Sequence, residues 1–236
     1  MSRVAQRSST AALTVLANDV VACRRCERLV AFREEIGRTR RRAYREQEYW
    51  SKAVPGFGDP EARLLLVGLA PGAHGSNRTG RMFTGDRSGD FLYPALYETG
   101  FASQPNSVDR SDGLELHDAY ITAAVRCAPP DNKPEPDEVV ACRPYLIREL
   151  ALLKNIQVVL ALGAIGMSAY LSVLQQQGLI KSRTRFQFAH GALYQTHDGG
   201  PALLASYHPS QQNTSTKRLT AQMFRDIFLR ARSLFT

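Results

Sequence analysis

Four short apolar runs, separated by helical patterns, set the organisation of the chain. The runs cover residues 62–68, 120–125, 157–163 and 202–206. Each is long enough for a buried strand of a parallel sheet and too short for a helix. Apolar residues at helical spacing lie between and around these runs, and they predict helices over 9–22, 88–97, 135–153, 164–176 and 220–235.

Alternating strands and helices are typical of an α/β protein. The pattern predicts a three-layer α/β/α sandwich with a short parallel sheet of about four strands and helices on both faces. The sequence contains no internal repeat, low-complexity tract or evident linker. We therefore expect one domain over residues 1–236.

The first strand pattern leads directly into an unusual loop, residues 68–86. This loop contains five glycines, one proline and a single aromatic residue, Phe83. It lacks the Gly-Lys-Ser/Thr ending of a phosphate-binding P-loop and the spacing of a dinucleotide fingerprint. Glycines let backbone amides approach a flat ligand closely, and Phe83 offers a stacking face. The loop therefore predicts a pocket for something flat and polar.

Two further loops follow the second and fourth strand patterns. Residues 126–134 include Asn132, and residues 206–220 include His208. Because ligands of parallel α/β folds bind at the carboxyl ends of the strands, we expect both loops to meet the glycine-rich loop in one crevice. Pro209 restricts the backbone of His208 to an extended conformation. His208, Asn132 and Asn77 are the polar candidates for chemistry there.

The chain has 236 residues, a formal net charge of +8 and a pI of about 9.6. That balance fits a polyanionic partner, since Lys and Arg neutralise phosphates. Nine arginines crowd residues 24–45, where glutamates partly offset them, so Lys217 and Arg218 beside His208 are better candidates for phosphate contact. The chain shows neither a bilayer-spanning apolar stretch nor an apolar signal core, so we expect a cytoplasmic protein.

The chain has four cysteines, which form two pairs. Cys23 and Cys26 form a C-x-x-C, and Cys127 and Cys142 follow far along the chain. Four soft ligands in a chain without a secretory signal favour a metal over disulfides. The spacing fits either a tetrahedral zinc site or a four-iron–four-sulfur cluster and does not choose between them.

Together these motifs resemble the uracil-DNA glycosylase superfamily, and specifically its family 5, the type B enzymes. The resemblance rests on the cysteine quartet and on the stretches 68–72, 77–80, 82–86, 125–130 with Asn132, and 208–210 with Asn213. It implies excision of uracil from DNA and a 4Fe-4S cluster on the four cysteines. It also implies that the base is held by Gly68, Ala70, Gly72 and Phe83, next to His208, Asn132 and Asn77.

Ala70 separates two branches of that superfamily. Family 4 enzymes carry an acidic residue here, which orients the attacking water, whereas alanine cannot polarise a water. The resemblance to family 5 implies a wider substrate range, including hypoxanthine and xanthine. Asp86 is the nearest carboxylate, but its position just before a predicted helix equally fits helix capping.

A base inside duplex DNA is out of reach, so the resemblance also implies base flipping. The loop 211–219 is then expected to enter the emptied space, with Lys217 and Arg218 near phosphates and Leu219 or a polar neighbour as the wedge. The residues expected to contact DNA are Gln211, Asn213, Lys217, Arg218 and Leu219.

Two interpretations from other classes stay open on the residues alone. One is a non-catalytic, iron–sulfur or zinc-stapled protein that binds damaged DNA. The other is an enzyme acting on free nucleosides or nucleotides with the same pocket. For the glycosylase, we expect a monomer that is associated with the nucleoid in a prokaryote. The sequence identifies no protein partner.

Overall fold

A mixed sheet of six strands forms the middle layer of the molecule, a computed structural model that describes the backbone of residues 3–236 and the side chains from residue 9 onward. The strands are β1 (Phe57–Gly58), β2 (Leu64–Gly68), β3 (Ala119–Ala123), β4 (Val158–Leu162), β5 (Leu193–Gln195) and β6 (Ala202–Ser206). The helices are α1 (Arg3–Val21), α2 (Glu27–Thr39), α3 (Ser76–Thr79), α4 (Arg87–Glu98), α5 (Pro136–Leu152), α6 (Gly163–Gln176), α7 (Gln211–Ser215) and α8 (Ala221–Ser233).

The sheet has the strand order β1-β3-β2-β4-β6-β5. Its four central strands are parallel and coincide with the four predicted runs. The expectation of about four strands was incomplete, because β1 and β5 add antiparallel edges. These edge strands have two and three residues, too few for a period-two pattern to stand out in the sequence.

Successive residues of the central strands face opposite helical layers. Leu64 and Leu66 pack toward α4 and α8, whereas Leu65 and Val67 belong to the core on the side of α5 and α6. Both cores are apolar, which explains why the strands consist of almost uninterrupted hydrophobic residues. The predicted three-layer sandwich is confirmed.

Local signals in the sequence fix where the main helices begin. Asp86 caps α4 by accepting hydrogen bonds from the backbone N–H groups of Ser88 and Gly89, both at 3.0 Å. A capping box of Glu135 and Glu138 starts α5. These caps satisfy backbone donors that have no partner inside the helix. No helix in the part of the chain that the structure describes has the length and apolarity needed to cross a membrane.

Candidate active site

The glycine-rich loop folds over the carboxylate of Asp86. A methyl group added at Gly75 would lie 1.9 Å from Asp86 Oδ2, and one added at Gly72 would lie 2.9 Å from the same atom. At position 75 only glycine leaves room for the carboxylate. Oδ1 of Asp86 accepts the predicted capping hydrogen bonds of α4, and Oδ2 lies against the loop. Burial raises the pKa of this carboxyl group.

Phe83 lies at the base of this loop with its backbone in the left-handed region. Its φ is +52°, which is uncommon for a residue with a bulky side chain, and its side chain is only 7% exposed. A methyl group added at Gly68 would come within 3.0 Å of the Phe83 ring. Glycine at the end of β2 thus leaves space for the ring. Backbone strain of this kind is concentrated at functional sites.

His208 lies beside Phe83 at the end of β6. The two ring centroids are 5.7 Å apart, with an interplanar angle of 32°. Asn213 Nδ2 donates a hydrogen bond of 2.9 Å to the backbone oxygen of His208, which fixes the turn. Desolvation lowers the pKa of His208 to about 4, so the imidazole is neutral at pH 7.

A cleft of about 280 Å³ opens next to His208. This is the small end of the range for ligand pockets, and it suits one planar base better than a whole nucleotide. Its lining comes from the ends of three strands and from the loop after β6, and consists of Leu69, Leu162, Gly163, Ala164, Ile165, Phe188, Tyr207, His208, Asn213 and Arg218.

The turn between β4 and α6 was not among the predicted site residues. Gly163 adopts φ +89°, and a methyl group added there would lie 3.2 Å from His208 Cβ. The available signal was a glycine directly after a buried strand, at the edge where the other loops meet. In the sequence this glycine marks only a turn before the helix predicted over 164–176.

Of the residues predicted to catalyse the reaction or hold the base, only His208 lines this cleft, and the others lie outside its lining: Gly68, Ala70, Gly72, Asn77, Phe83 and Asn132. Asn77 is fully buried, and its Nδ2 donates hydrogen bonds to the backbone oxygens of Arg33 at 3.1 Å and Ala73 at 3.4 Å. Ala70 packs against the buried cluster that contains the cysteines. Gly72 accepts a hydrogen bond of 3.0 Å from the backbone N–H of Asn77. These residues shape the loop from behind.

Asn132 lies in the turn that follows β3. It ends a short 3₁₀ segment, Pro130–Asn132, and is exposed. Its φ of +56° and the φ of +52° at Asp131 give this turn two consecutive left-handed residues. The amide of Asn132 is therefore held on a constrained turn and is open to solvent.

The loop after His208 contains the residues expected to contact DNA. Gln211, Lys217 and Arg218 are exposed, and Asn213 is half-buried. The guanidinium of Arg218 lies 4.5 Å above the ring of Tyr207, at the mouth of the cleft. Leu219 differs from the expectation, because it is 1% exposed and belongs to the core beneath α8. A side chain in that position does not fit the role of a wedge.

The four cysteines gather around one small core. Cys127 and Cys142 are buried in it, and Cys23 and Cys26 pack against it from the junction of α1 and α2. All four are free thiols. Among the side chains from residue 9 onward, no three His, Cys, Asp or Glu residues are arranged so that they could hold a metal ion as they stand.

Nitrogen donors point at two of the sulfurs. Arg33 Nη1 lies 3.0 Å from Cys127 Sγ, and the backbone N–H of Arg126 lies 3.3 Å from Cys142 Sγ. Burial raises the pKa of the Cys127 thiol to about 11 and that of Cys142 to about 12. A bound metal reverses this preference, since it favours the thiolate.

Three of the nine arginines in the segment around the first cysteine pair, Arg24, Arg28 and Arg38, pair with glutamates. Arg38 pairs with Glu35 at 2.7 Å on the exposed face of α2, and Arg28 pairs with Glu138 at 2.7 Å across to α5. These contacts fit the interpretation of a solvated helix face better than that of a phosphate-binding surface.

The molecule is an α/β sandwich with a small cleft and a neutral histidine at the carboxyl ends of its parallel strands. Sequence comparisons identify the family to which such a protein belongs. The profile of the uracil DNA glycosylase superfamily matches residues 55–232, and the chain belongs to that superfamily. Within it, the chain belongs with the type-5 uracil-DNA glycosylases, as its resemblance predicted.

Two of these relatives cover almost the whole chain. The type-5 uracil-DNA glycosylase of Thermus thermophilus is 55% identical over 91% of this chain and 94% of its own length. That of Mycobacterium bovis is 48% identical over 91% of this chain and 79% of its own. A type-4 uracil-DNA glycosylase of Pyrobaculum aerophilum is more distant, at 32% identity over 69% of this chain and 74% of its own length.

Proposed function

We infer that this protein excises uracil from DNA by hydrolysing the N-glycosidic bond, which leaves an abasic site. The superfamily and its type-5 branch support this activity. The observation that carries the inference at the level of the site is the neutral His208 next to the ring of Phe83, at a cleft that suits a single base.

The base must leave the duplex before it can enter such a small cleft. Flipping costs a few kcal/mol of unstacking, which a stacking face inside the pocket offsets in part. In our proposal Phe83 supplies that face, and the base reaches it past His208, which lines the cleft and contacts the Phe83 ring. The Phe83 ring is held by the packing against Gly68 and by the left-handed backbone, so little ordering is needed when the base arrives.

Cleavage of the bond develops negative charge on the departing base and positive charge on the sugar. For uracil the negative charge spreads onto the carbonyl oxygens, so a hydrogen-bond donor aimed at one of them lowers the barrier. We assign this role to the imidazole N–H of His208. A neutral imidazole donates one hydrogen bond without protonating the base, and backbone amides of residues 68–72 add further donors.

The attacking water needs to be positioned more than it needs a proton acceptor, because a dissociative reaction creates a strongly electrophilic sugar. We assign its positioning to Asn132, whose amide is held on a constrained turn and is open to solvent. Asn77 is the second candidate and acts from behind, through the loop that it anchors. The carboxylate of Asp86 already accepts the capping bonds of α4 with Oδ1.

We propose that Cys23, Cys26, Cys127 and Cys142 hold a 4Fe-4S cluster. The donor set of four free thiols around one core, with nitrogen donors directed at two sulfurs, fits such a group. The cluster would join α1, α5 and the turn of Asn132.

The cluster is tested by purifying the protein without oxygen. We expect brown protein with iron and sulfide in equal amounts near four per chain, and a Cys127→Ser variant that is colourless and unstable. A stable, brown and active Cys127→Ser protein would remove Cys127 from the ligand set. Colourless wild-type protein with one zinc would replace the cluster by a zinc site.

We further propose that hypoxanthine and xanthine are substrates besides uracil. Alanine at position 70 places no carboxylate in the loop behind the cleft, and a neutral donor such as His208 reads a carbonyl oxygen that all three bases carry. The residues on the cleft wall are mainly apolar and backbone groups, which are tolerant of shape.

The activity is tested with oligonucleotide duplexes that contain a single uracil or a single hypoxanthine, scored for abasic sites by alkaline cleavage. Release of free uracil and of an abasic strand is the expected result, and His208→Ala serves as the inactive control. Cleavage of uracil alone would keep the glycosylase and remove the wider range. If cluster-loaded protein cuts neither duplex but binds both, a damage-binding protein would become the better description.

A further inference from the structure

Arg33 and Arg126 are the two most completely buried arginines among the described side chains, each 1% exposed. Arg126 forms an ion pair with the buried carboxylate of Glu149. Arg33 forms no salt bridge with a carboxylate in the part of the chain described here. A buried guanidinium without an anionic partner is strongly unfavourable, so its surroundings must supply negative charge in another form.

The partners of Arg33 belong to the cysteine quartet. Its Nη1 donates to Cys127 Sγ at 3.0 Å, and its Nη2 donates to the backbone oxygen of Cys23 at 3.0 Å. Four thiolates carry more negative charge than a four-iron core neutralises. The quartet with its cluster is therefore the anion that balances Arg33.

The backbone of Arg33 leads in the opposite direction, to the base pocket. Its carbonyl oxygen accepts a hydrogen bond of 3.1 Å from Asn77 Nδ2. The backbone N–H of Asn77 in turn donates to the carbonyl oxygen of Gly72 at 3.0 Å. One residue thus touches a cluster ligand with its side chain and the anchor of the glycine-rich loop with its backbone.

We propose that Arg33 is a positioning residue that supplies the buried positive charge for the thiolate centre and, through Asn77, sets the position of the glycine-rich loop of the base pocket. This inference rests on the 4Fe-4S cluster proposed above. It assigns the cluster a specific mechanical task, because the group that holds Arg33 in place also holds the loop.

Three variants separate charge from packing. Arg33→Met removes the charge at similar length, Arg33→Lys keeps the charge but loses the planar fork, and Arg38→Met is the matched control. Arg38 lies on the same helix, is exposed and pairs with Glu35 at 2.7 Å. Each protein is purified anaerobically and measured for iron content, midpoint reduction potential, iron release to a chelator, and KM and kcat on a uracil-containing single-stranded oligonucleotide.

A nearby positive charge favours the reduced, more negative cluster, so its loss shifts the potential to more negative values. We expect this shift in Arg33→Met, together with faster iron release and a several-fold rise in KM. Arg33→Lys should return the potential close to that of the wild type, and Arg38→Met should match the wild type throughout. A fully loaded Arg33→Met protein with unchanged potential and KM would overturn the proposal.

A further variant tests the link to the loop without touching the cluster. Asn77→Ala should raise KM and leave the potential and the iron release unchanged, whereas a change in potential would contradict the proposed direction of the coupling. If Arg33→Met does not fold, Arg33→Gln takes its place, because it loses the charge and keeps donors. The same negative shift is expected, and its absence would overturn the proposal.

The outcomes also separate this proposal from the function itself. Iron-free, colourless protein that still excises uracil would leave the glycosylase intact and overturn the role of Arg33. Brown protein with the expected potential shift but without excision would do the reverse. The potential and the iron release are read without any substrate.

Discussion

The imidazole of His208 lies against the ring of Phe83, with their centroids 5.7 Å apart and their planes inclined by 32°. The two residues are far apart in sequence and come from loops after β2 and β6. In the proposed reaction His208 would provide a hydrogen-bond donor and Phe83 an apolar face, and the contact between the two rings would bring a base stacked on Phe83 close to His208. This contact joins the recognition of the base to the stabilisation of its departure.

Replacing His208 should affect the chemical step. Because His208→Ala would remove the donor proposed for the departing base, we expect the single-turnover excision rate to fall by about 100-fold or more. Binding of the uracil-containing oligonucleotide should change much less. His117→Ala, at an exposed histidine before β3, is the control and should keep the wild-type rate. Loss of binding in step with the rate would point to a damaged fold instead.

The lowered pKa of His208 predicts a particular pH dependence. The unfolded chain binds a proton at this histidine below about pH 6.5, whereas the folded protein does so only near its pKa of about 4. Stability from this group is therefore present above pH 6.5 and lost as the pH falls toward 4. We therefore expect no decrease in kcat/KM from protonation of His208 between pH 7 and pH 5. Urea unfolding at the same pH values distinguishes a loss of activity from a loss of stability. An activity limb at pH 6.5 that disappears in His208→Gln would contradict this.

Phe83→Ala should weaken the productive binding of the extruded base. Stacking of a base on an aromatic ring contributes about 1–3 kcal/mol, so the affinity for a uracil-containing strand should fall by about 5- to 150-fold. Phe83→Tyr keeps the ring and should retain most of the affinity, measured by fluorescence anisotropy on an uncleavable uracil analogue. Phe91→Ala, at a core aromatic that packs on Phe224, controls for lost packing.

Gly75→Ala should disturb the loop that covers Asp86. The added methyl would lie 1.9 Å from Asp86 Oδ2, and overpacking of this kind costs about 1–3 kcal/mol of unfolding free energy. Gly72→Ala, at 2.9 Å from the same atom, should cost less. In the double variant Gly75→Ala with Asp86→Ala, the two effects should be less than additive in urea denaturation. Strict additivity would show that the methyl meets something else.

Arg218 should contribute to DNA binding without reading sequence. Its guanidinium rests on Tyr207 at the mouth of the cleft, so Arg218→Ala should weaken binding similarly for all sequences. If Arg218 neutralises one phosphate, the salt dependence of log K should decrease by about one unit of slope. Lys154 is exposed in the turn before β4, at the amino ends of the parallel strands. Lys154→Ala therefore removes the same charge away from the cleft and should leave the slope unchanged.

Much of the fold follows from short-range patterns in the chain. The four central strands and the helices α1, α4, α5, α6 and α8 show strong periodicity in the sequence, and Asp86 stands where a helix cap belongs. The short helices α3 and α7, with four and five residues, were not predicted because they are too short to show a period. The helix α2 was also missed, within a stretch rich in arginine and glutamate. The edge strands β1 and β5 were missed because pairing with a neighbour, and not their own sequence, makes them strands. The predicted loops after β2, β3 and β6 lie at one edge because parallel strands place them there.

The site could be predicted only as a set of loops. Asn77 and Leu219 both stand in polar stretches, yet one bonds to the backbone of α2 and the other completes the core beneath α8. The turn at Gly163 was overlooked because its role depends on the space that it leaves for His208. Such distinctions arise from contacts between distant segments, which periodicity does not encode.

Asp131, Asn132 and Lys217 share the left-handed backbone conformation of Phe83, and all four residues lie in loops of the candidate site. Glycine adopts this conformation without steric cost, so selection for folding alone would favour glycine at all four positions. A laboratory selection for thermostability would therefore be drawn toward these residues and would trade repair for robustness. At these four positions the residue present therefore reflects the requirements of the site and not those of folding stability.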